Sequence, residues 1–392
     1  MKFIFSGASV FSGDPHLEKY DNFSAEAVIS RDCFIDCSKY FIFPGFVDVH
    51  VHFREPGFSY KETIASGSLA AARGGYTVAC TMPNLKPVPD SLPHLKEQLQ
   101  IIERDSVIHT IPFGSITCDE AGLALSDMEA MAPFVCGFSD DGRGVDNSSL
   151  MKEAMQRARA LGKIISAHCE DGTQVKDSPE AEWKQIERDI KLADETGVKY
   201  HVCHISTKES VELIRDAKKS GVDITCETAP HYLIFSEKDA PDDGRFRMNP
   251  PLREEADRLA LRQGLLDGTI DMIATDHAPH SAEEKSHGMR SLNGIVGLEC
   301  AFPVLYTELV KTGELSLDQL VRLMSTNPAE RFGIERGGFC VYDLDSEYAI
   351  DVKDFASKGK CTPFEGKRVF GKCIATVCDG RIAYIDKSIL GK

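Results

Sequence analysis

Apolar positions along this chain fall into two textures. From residue 44 to 337, apolar runs of strand length are separated by amphipathic stretches of helix length. That alternation predicts βαβ units and a parallel sheet. The runs are FVDVHVHF (46–53), YTVACTMPN (76–84), SVIHTIPFGS (106–115), FVCGFSD (134–140), GKIISAHCE (162–170), KYHVCHIS (199–206), GVDITCETA (221–229) and DMIATDHA (271–278). Helical spacing predicts helices over 60–74, 90–104, 150–161, 180–196, 207–220 and 254–266, then over 298–311 and 317–324. Eight strand–helix units over about 290 residues predict an α/β chain built on a (β/α)8 TIM-type barrel. The doubly wound alternative finds no Gly-rich nucleotide turn to support it. The two ends read differently. Residues 1–43 (FIFSGA, AEAVIS, YFIFPG) and 338–392 (GFCVYDL, YAIDV, CIATVCDG, RIAYID) show only short strand-like pieces and turns. Neither end is long enough to stand alone. Together they predict one small composite β-domain attached to a barrel domain at 44–337.

Composition narrows the partners. With 45 Lys plus Arg against 61 Asp plus Glu, the net charge is −16. Nucleic acids and anionic membrane surfaces both need a cationic face, so neither is expected as a partner. A small anionic substrate stays open, because one local cation is enough to hold it. No run reaches the roughly 18 apolar residues of a membrane span, and the first residues carry no signal-peptide pattern. The 13 cysteines are odd in number and scattered. Cys33 and Cys37 form the only close pair, and no second pair completes a zinc-ribbon spacing. Reduced, mostly buried thiols in the cytoplasm are the expectation.

In such a barrel the active site lies at the C-terminal ends of the strands, and there these runs turn polar. His50 and His52 lie two residues apart on one strand, so both imidazoles reach the same point. Run four ends in Asp140 and Asp141. Runs five and six carry His168 and His204, and run eight carries Asp276, followed by His277 and His280. Several His with carboxylate is the donor set of zinc or a similar divalent ion. Strand alternation sends Cys169, Cys203 and His201 to the opposite face, toward the helices. His231, after Ala229-Pro230, is a further candidate ligand. His16, His94, His109 and His287 belong to no constellation and read as surface or packing residues.

These same strings resemble a known family. GFVDVHVHFREPG (45–57) is similar to the opening motif of dihydroorotases in the amidohydrolase superfamily. TMPN (81–84), FSDDG (138–142), AHCED (167–171), CHIST (203–207), MNPPLR (248–253) and ATDHAPH (274–280) follow in that family's order. The resemblance implies metal ligands at His50, His52, Asp141, His168, His204 and Asp276. It implies substrate carboxylate contacts from Arg54, Asn84 and His280, with Asn249 touching the ring or amide. The carboxylated lysine that bridges two metals in many relatives is replaced here by Asp140-Asp141. The chain resembles the dihydroorotase subgroup with Asp in that place, and either one or two zinc ions per chain fit it.

The implied reaction is the reversible cyclisation of N-carbamoyl-L-aspartate to L-dihydroorotate in pyrimidine biosynthesis. Zinc lowers the pKa of bound water to about 7 and polarises the carbonyl. Asp276, beside the metal, suits the proton shuttle. Arg54 lies two residues beyond His52, on the same face, and its fork matches a carboxylate. Two alternatives stand beside this expectation: another cyclic amidase of hydantoinase or allantoinase type, and an inactive dihydroorotase-like structural partner. A homodimer or a pyrimidine-pathway partner is compatible with the sequence.

Overall fold

The computed structural model describes residues 2–6, 9–10, 22–26 and 33–389. His16 lies outside the described residues. Each apolar run of the barrel region contains a strand: β1 (Phe46–Val51), β2 (Tyr76–Thr81), β3 (His109–Pro112), β4 (Gly137–Phe138), β5 (Ile164–Ala167), β6 (Lys199–Val202), β7 (Ile224–Thr228) and β8 (Met272–Ile273). All neighbours pair parallel, in the orders β1-β2-β3 and β4-β5-β6-β7-β8. Two single bridges, Gly114 to Phe138 and Val51 to His277, join the halves into a closed barrel. The buried Asp48 carboxylate reinforces the seam between β1 and β8, accepting from Thr275 Oγ1 at 2.6 Å and from the His50 amide at 3.0 Å.

Alternation sorts side chains into two layers. Val47, Val49, Val78, Cys80, Met82, Phe113 and Met272 pack together inside the barrel, while Ala79, Ile165, Ala167 and Val202 belong to the larger core under the helices. Long helices cover the outside at Ile64–Arg73, Leu92–Asp105, Ser148–Ala160, Pro179–Thr196, Lys208–Lys219 and Glu255–Leu266. Their starts follow from local chemistry. Thr63, Ser178 and Thr207 each accept from a backbone N–H of the first turn, satisfying a donor that the helix itself cannot. Between β3 and β4 the chain makes only short helical turns.

A second sheet joins both ends of the chain. Strands Gly338–Ala349, Arg368–Cys378 and Arg381–Ile385 run antiparallel, Phe41–Pro44 pairs with the first of them, and Ser9–Val10 lies against Phe41–Pro44. A smaller sheet holds Lys2–Ser6 between Asn22–Glu26 and Cys33–Asp36. Phe43, Phe46, Phe302 and Tyr342 stack across the junction with the barrel, with Phe302 and Tyr342 centroids 4.3 Å apart. Among the described residues, no helix is long and apolar enough to cross a membrane.

Candidate active site

The strand ends bring His50, His52, Asp141, His168, His204 and Asp276 together at the barrel mouth. His50 Nε2 lies 3.3 Å from Asp141 Oδ1, and His52 Nε2 lies 3.5 Å from Asp141 Oδ2 and 3.2 Å from Asp276 Oδ1. On the other side, His204 Nε2 is 3.6 Å and His168 Nδ1 is 3.8 Å from Asp141 Oδ1. The atoms thus form two donor triads, His50–His52–Asp141 and Asp141–His168–His204, that share one carboxylate. His50 Nε2 and Asp141 Oδ1 are buried and make no directed hydrogen bond. His168 Nδ1 and His204 Nε2 meet at 3.0 Å; buried polar atoms are seldom left without a partner, and His50 Nε2 and Asp141 Oδ1 converging on one point suit a divalent cation. Burial pushes the Asp141 carboxyl up, but His50, His204 and His52 outweigh it and hold it well below the ordinary carboxylate range. Asp276 is held at about 2, its burial outweighed by the His52 hydrogen bond and the nearby imidazoles.

Asp140 is used differently. Its carboxylate accepts from the Ile116 and Thr117 amides at 2.7 and 3.0 Å, and from the Thr117 hydroxyl. It anchors the loop after β3 and leaves Asp141 to face the cluster. Backbone geometry also aims the site. Arg54, His204 and Asp276 adopt φ of 61°, 31° and 47°, a left-handed region that side chains other than Gly seldom occupy.

Two expectations about facing need correction. His201 and Cys203 do not turn toward the helices. Cys203 packs inside the barrel, its sulfur within 4.8 Å of donor atoms of His50 and Glu227, while His201 Nε2 meets Glu227 Oε2 at 3.1 Å. The physical reason is that β6 ends at Val202, and the left-handed His204 swings its ring inward without continuing the alternation. Cys169 does lie in the outer core, near the Tyr200 hydroxyl. His231 is buried with Nε2 unpartnered, yet it joins none of the donor groups. His277 accepts from the Gly297 amide and faces Glu62, so it supports the seam.

Sequence reasoning missed the residues behind the cluster. Glu227 accepts from His50 Nδ1 at 2.8 Å and from His201. Burial works against its charge, but these hydrogen bonds hold it at about 2. Its signal was a carboxylate inside an apolar strand run. Glu170 stands 3.5 Å from His168 Nε2 and accepts from Asn249 at 3.2 Å, leaving His168 Nδ1 for the cluster. Such outer carboxylates fix which nitrogen of a His faces a metal.

Above the cluster opens a cavity of about 200 Å³, lined by Arg54, Asn84, Gly142, Asn249, Ala278, Asn293 and Gly294 together with the donors. Among the described lining residues Arg54 is the only Lys or Arg. Asn84 donates to the Asp141 carbonyl at 2.5 Å and to the buried Glu120. His280 stands behind Arg54, 3.4 Å away, with Nε2 at 2.7 Å from the Asn293 carbonyl and Nδ1 at 3.2 Å from Lys61 Nζ. The same Nδ1 also lies 3.2 Å from Glu284 Oε2, so it stands between an ammonium and a carboxylate. Burial, Arg54 and Lys61 press His280 down to about 3, so it is neutral.

The sequence pattern of the amidohydrolase family matches residues 41–341. The chain belongs to the amidohydrolase family. This amidohydrolase is 48% identical over 396 residues to a protein of Fusobacterium nucleatum named dihydroorotase, covering 94% of this chain and 93% of that one. It is 45% identical over 384 residues to the dihydroorotase of Bacillus cereus, covering 91% and 90%. Among solved structures it resembles the L-hydantoinase (dihydropyrimidinase) of Arthrobacter aurescens, with TM-score 0.83 and 25% identity over 97% and 95% of the two chains. The dihydropyrimidinase of Brevibacillus agri shares the fold, with TM-score 0.84 at 22% identity over 99% and 96%. The family and the donor geometry together imply a divalent metal and a small-molecule substrate.

Proposed function

We propose that this amidohydrolase is a dihydroorotase, interconverting N-carbamoyl-L-aspartate and L-dihydroorotate in pyrimidine biosynthesis. The dihydroorotase relatives at 45–48% identity support the reading. One observation carries the choice of ring: a guanidinium, Arg54, lines a small cavity whose other described side chains are acidic or neutral. Dihydroorotate carries a carboxylate outside the reacting bond, and plain hydantoin and dihydrouracil do not.

In this reading His50, His52, Asp141, His168, His204 and Asp276 would hold one or two zinc ions. A divalent ion there supplies a water of pKa about 7 and polarises a carbonyl. The protein's own groups do the rest. Arg54 grips the ring carboxylate with its fork, joined by Asn84 and His280, and Asn249 touches the ring or amide. Asp276 takes the proton from the attacking water and returns it to the leaving ring nitrogen. In the cyclising direction the same carboxylate removes the proton from the ureido nitrogen. The barrel 44–337 carries this chemistry, residues 1–43 and 338–392 form the composite β-domain, and the cytoplasm is the proposed compartment.

The test is kcat/KM for dihydroorotate, dihydrouracil and hydantoin, followed by ultraviolet absorbance, with metal content measured alongside. Wild type should prefer dihydroorotate by about 10⁴ or more, because a ring without the carboxylate leaves a desolvated Arg54 unpaired. Arg54→Lys should lose most of that preference. Comparable values for all three rings mean a general cyclic amidase, and no turnover on any ring with metal bound means a structural relative.

A further inference from the structure

Metal-type donors meet a second time, at the opposite end of the barrel. His109 opens β3, Cys378 closes the strand Arg368–Cys378, and Asp379 begins the turn that follows. One donor atom of each lies within 4.8 Å of the other two, and His109 Nε2 is 2.9 Å from Asp379 Oδ2. None of the three has a part in the site at the barrel mouth.

Gly337 passes directly over the His109 ring, where a Cβ would stand 2.6 Å from Cδ2 and Nε2. Its carbonyl accepts from the Asp379 amide at 2.7 Å, fixing the turn against the ring. A cavity of about 370 Å³ adjoins the group and brings Glu335 to the same rim.

We propose that His109, Cys378 and Asp379 form a second metal site, taking a zinc-class ion through imidazole, thiolate and carboxylate. Nitrogen, sulfur and oxygen donors of this kind select such an ion, and water from the adjoining cavity completes a four-coordinate shell. Thiolate ligation releases the Cys378 thiol proton on binding. The bond ties the first residue of a barrel strand to the last hairpin of the terminal sheet. Its role is structural.

Cobalt(II) loading of the full-length protein tests this directly, because a thiolate ligand gives a near-ultraviolet charge-transfer band that His and Asp ligands do not. The band should appear in wild type, persist in Cys203→Ser and vanish in Cys378→Ser. Zinc-loaded wild type should carry about one more metal equivalent than Cys378→Ser or His109→Gln, with turnover the same in all three. Equal metal content in wild type and both variants, with no thiolate band, would leave only a His109–Asp379 ion pair and overturn the proposal. A band that survives Cys378→Ser would overturn it too, by assigning the thiolate elsewhere.

Discussion

Replacing Glu227 by Gln isolates the hydrogen bond that orients His50. The carboxylate has two acceptor oxygens, one on His50 Nδ1 at 2.8 Å and one on His201 Nε2 at 3.1 Å. Gln keeps the shape but offers one acceptor and one donor. His201 can adapt, because its Nδ1 lies 2.9 Å from Thr225 Oγ1 and can carry the proton there. His50 cannot, since its Nε2 must stay proton-free among the donors. Its bond to a carboxylate therefore becomes a bond to an amide carbonyl. Charge-assisted bonds contribute about 1.5–3 kcal/mol and neutral ones about 1, so the loss is about 0.5–2 kcal/mol. That is about tenfold in metal affinity, within the range for outer carboxylates of metal sites. Glu227→Ala should lose more, because His50 Nδ1 is then buried without a partner. Competition against a chromophoric chelator reads the affinity, and turnover at saturating metal reads the rest. A Gln variant that holds metal as tightly as wild type would show that Glu227 does not orient His50.

Two further outcomes follow from the proposed chemistry. Asp276→Asn should lower turnover by about 10² or more, and a variant that keeps both its metal and near-normal turnover would remove Asp276 from the proton path. Cyclisation consumes one carboxylate and takes up a proton. The equilibrium should therefore move toward dihydroorotate at low pH and toward carbamoyl-aspartate at high pH, and an end-point ratio that ignores pH would exclude the reaction.

The barrel was legible because strand-length apolar runs and helix-length amphipathic stretches alternate, except between runs three and four, where only short helical turns form. Each run encloses its strand, although the hydrogen-bonded part is shorter: run eight spans 271–278, and only Met272–Ile273 pair regularly. The cluster at the mouth was legible because its residues are chemically conspicuous and recur at strand ends. Facing was less so. The period-two rule holds inside a regular strand and fails where the backbone leaves it, as at His204, so it misplaced His201 and Cys203. Glu227 stayed hidden for another reason: a lone carboxylate in a strand announces that something pairs with it, but not what. The roles of Lys61 and Asn293 around His280 rest on contacts between segments far apart in sequence, and no local pattern marks them.

The left-handed backbone at Arg54, His204 and Asp276 sets stability against activity at three named points. Holding a residue other than Gly in that region costs about 1–3 kcal/mol each, and the rest of the barrel sustains it. Glycine there relaxes the chain and deletes a guanidinium, an imidazole or a carboxylate from the mouth. Laboratory evolution that selects only for heat resistance should therefore accumulate glycine at these positions. It would return a sturdier barrel that no longer turns over substrate.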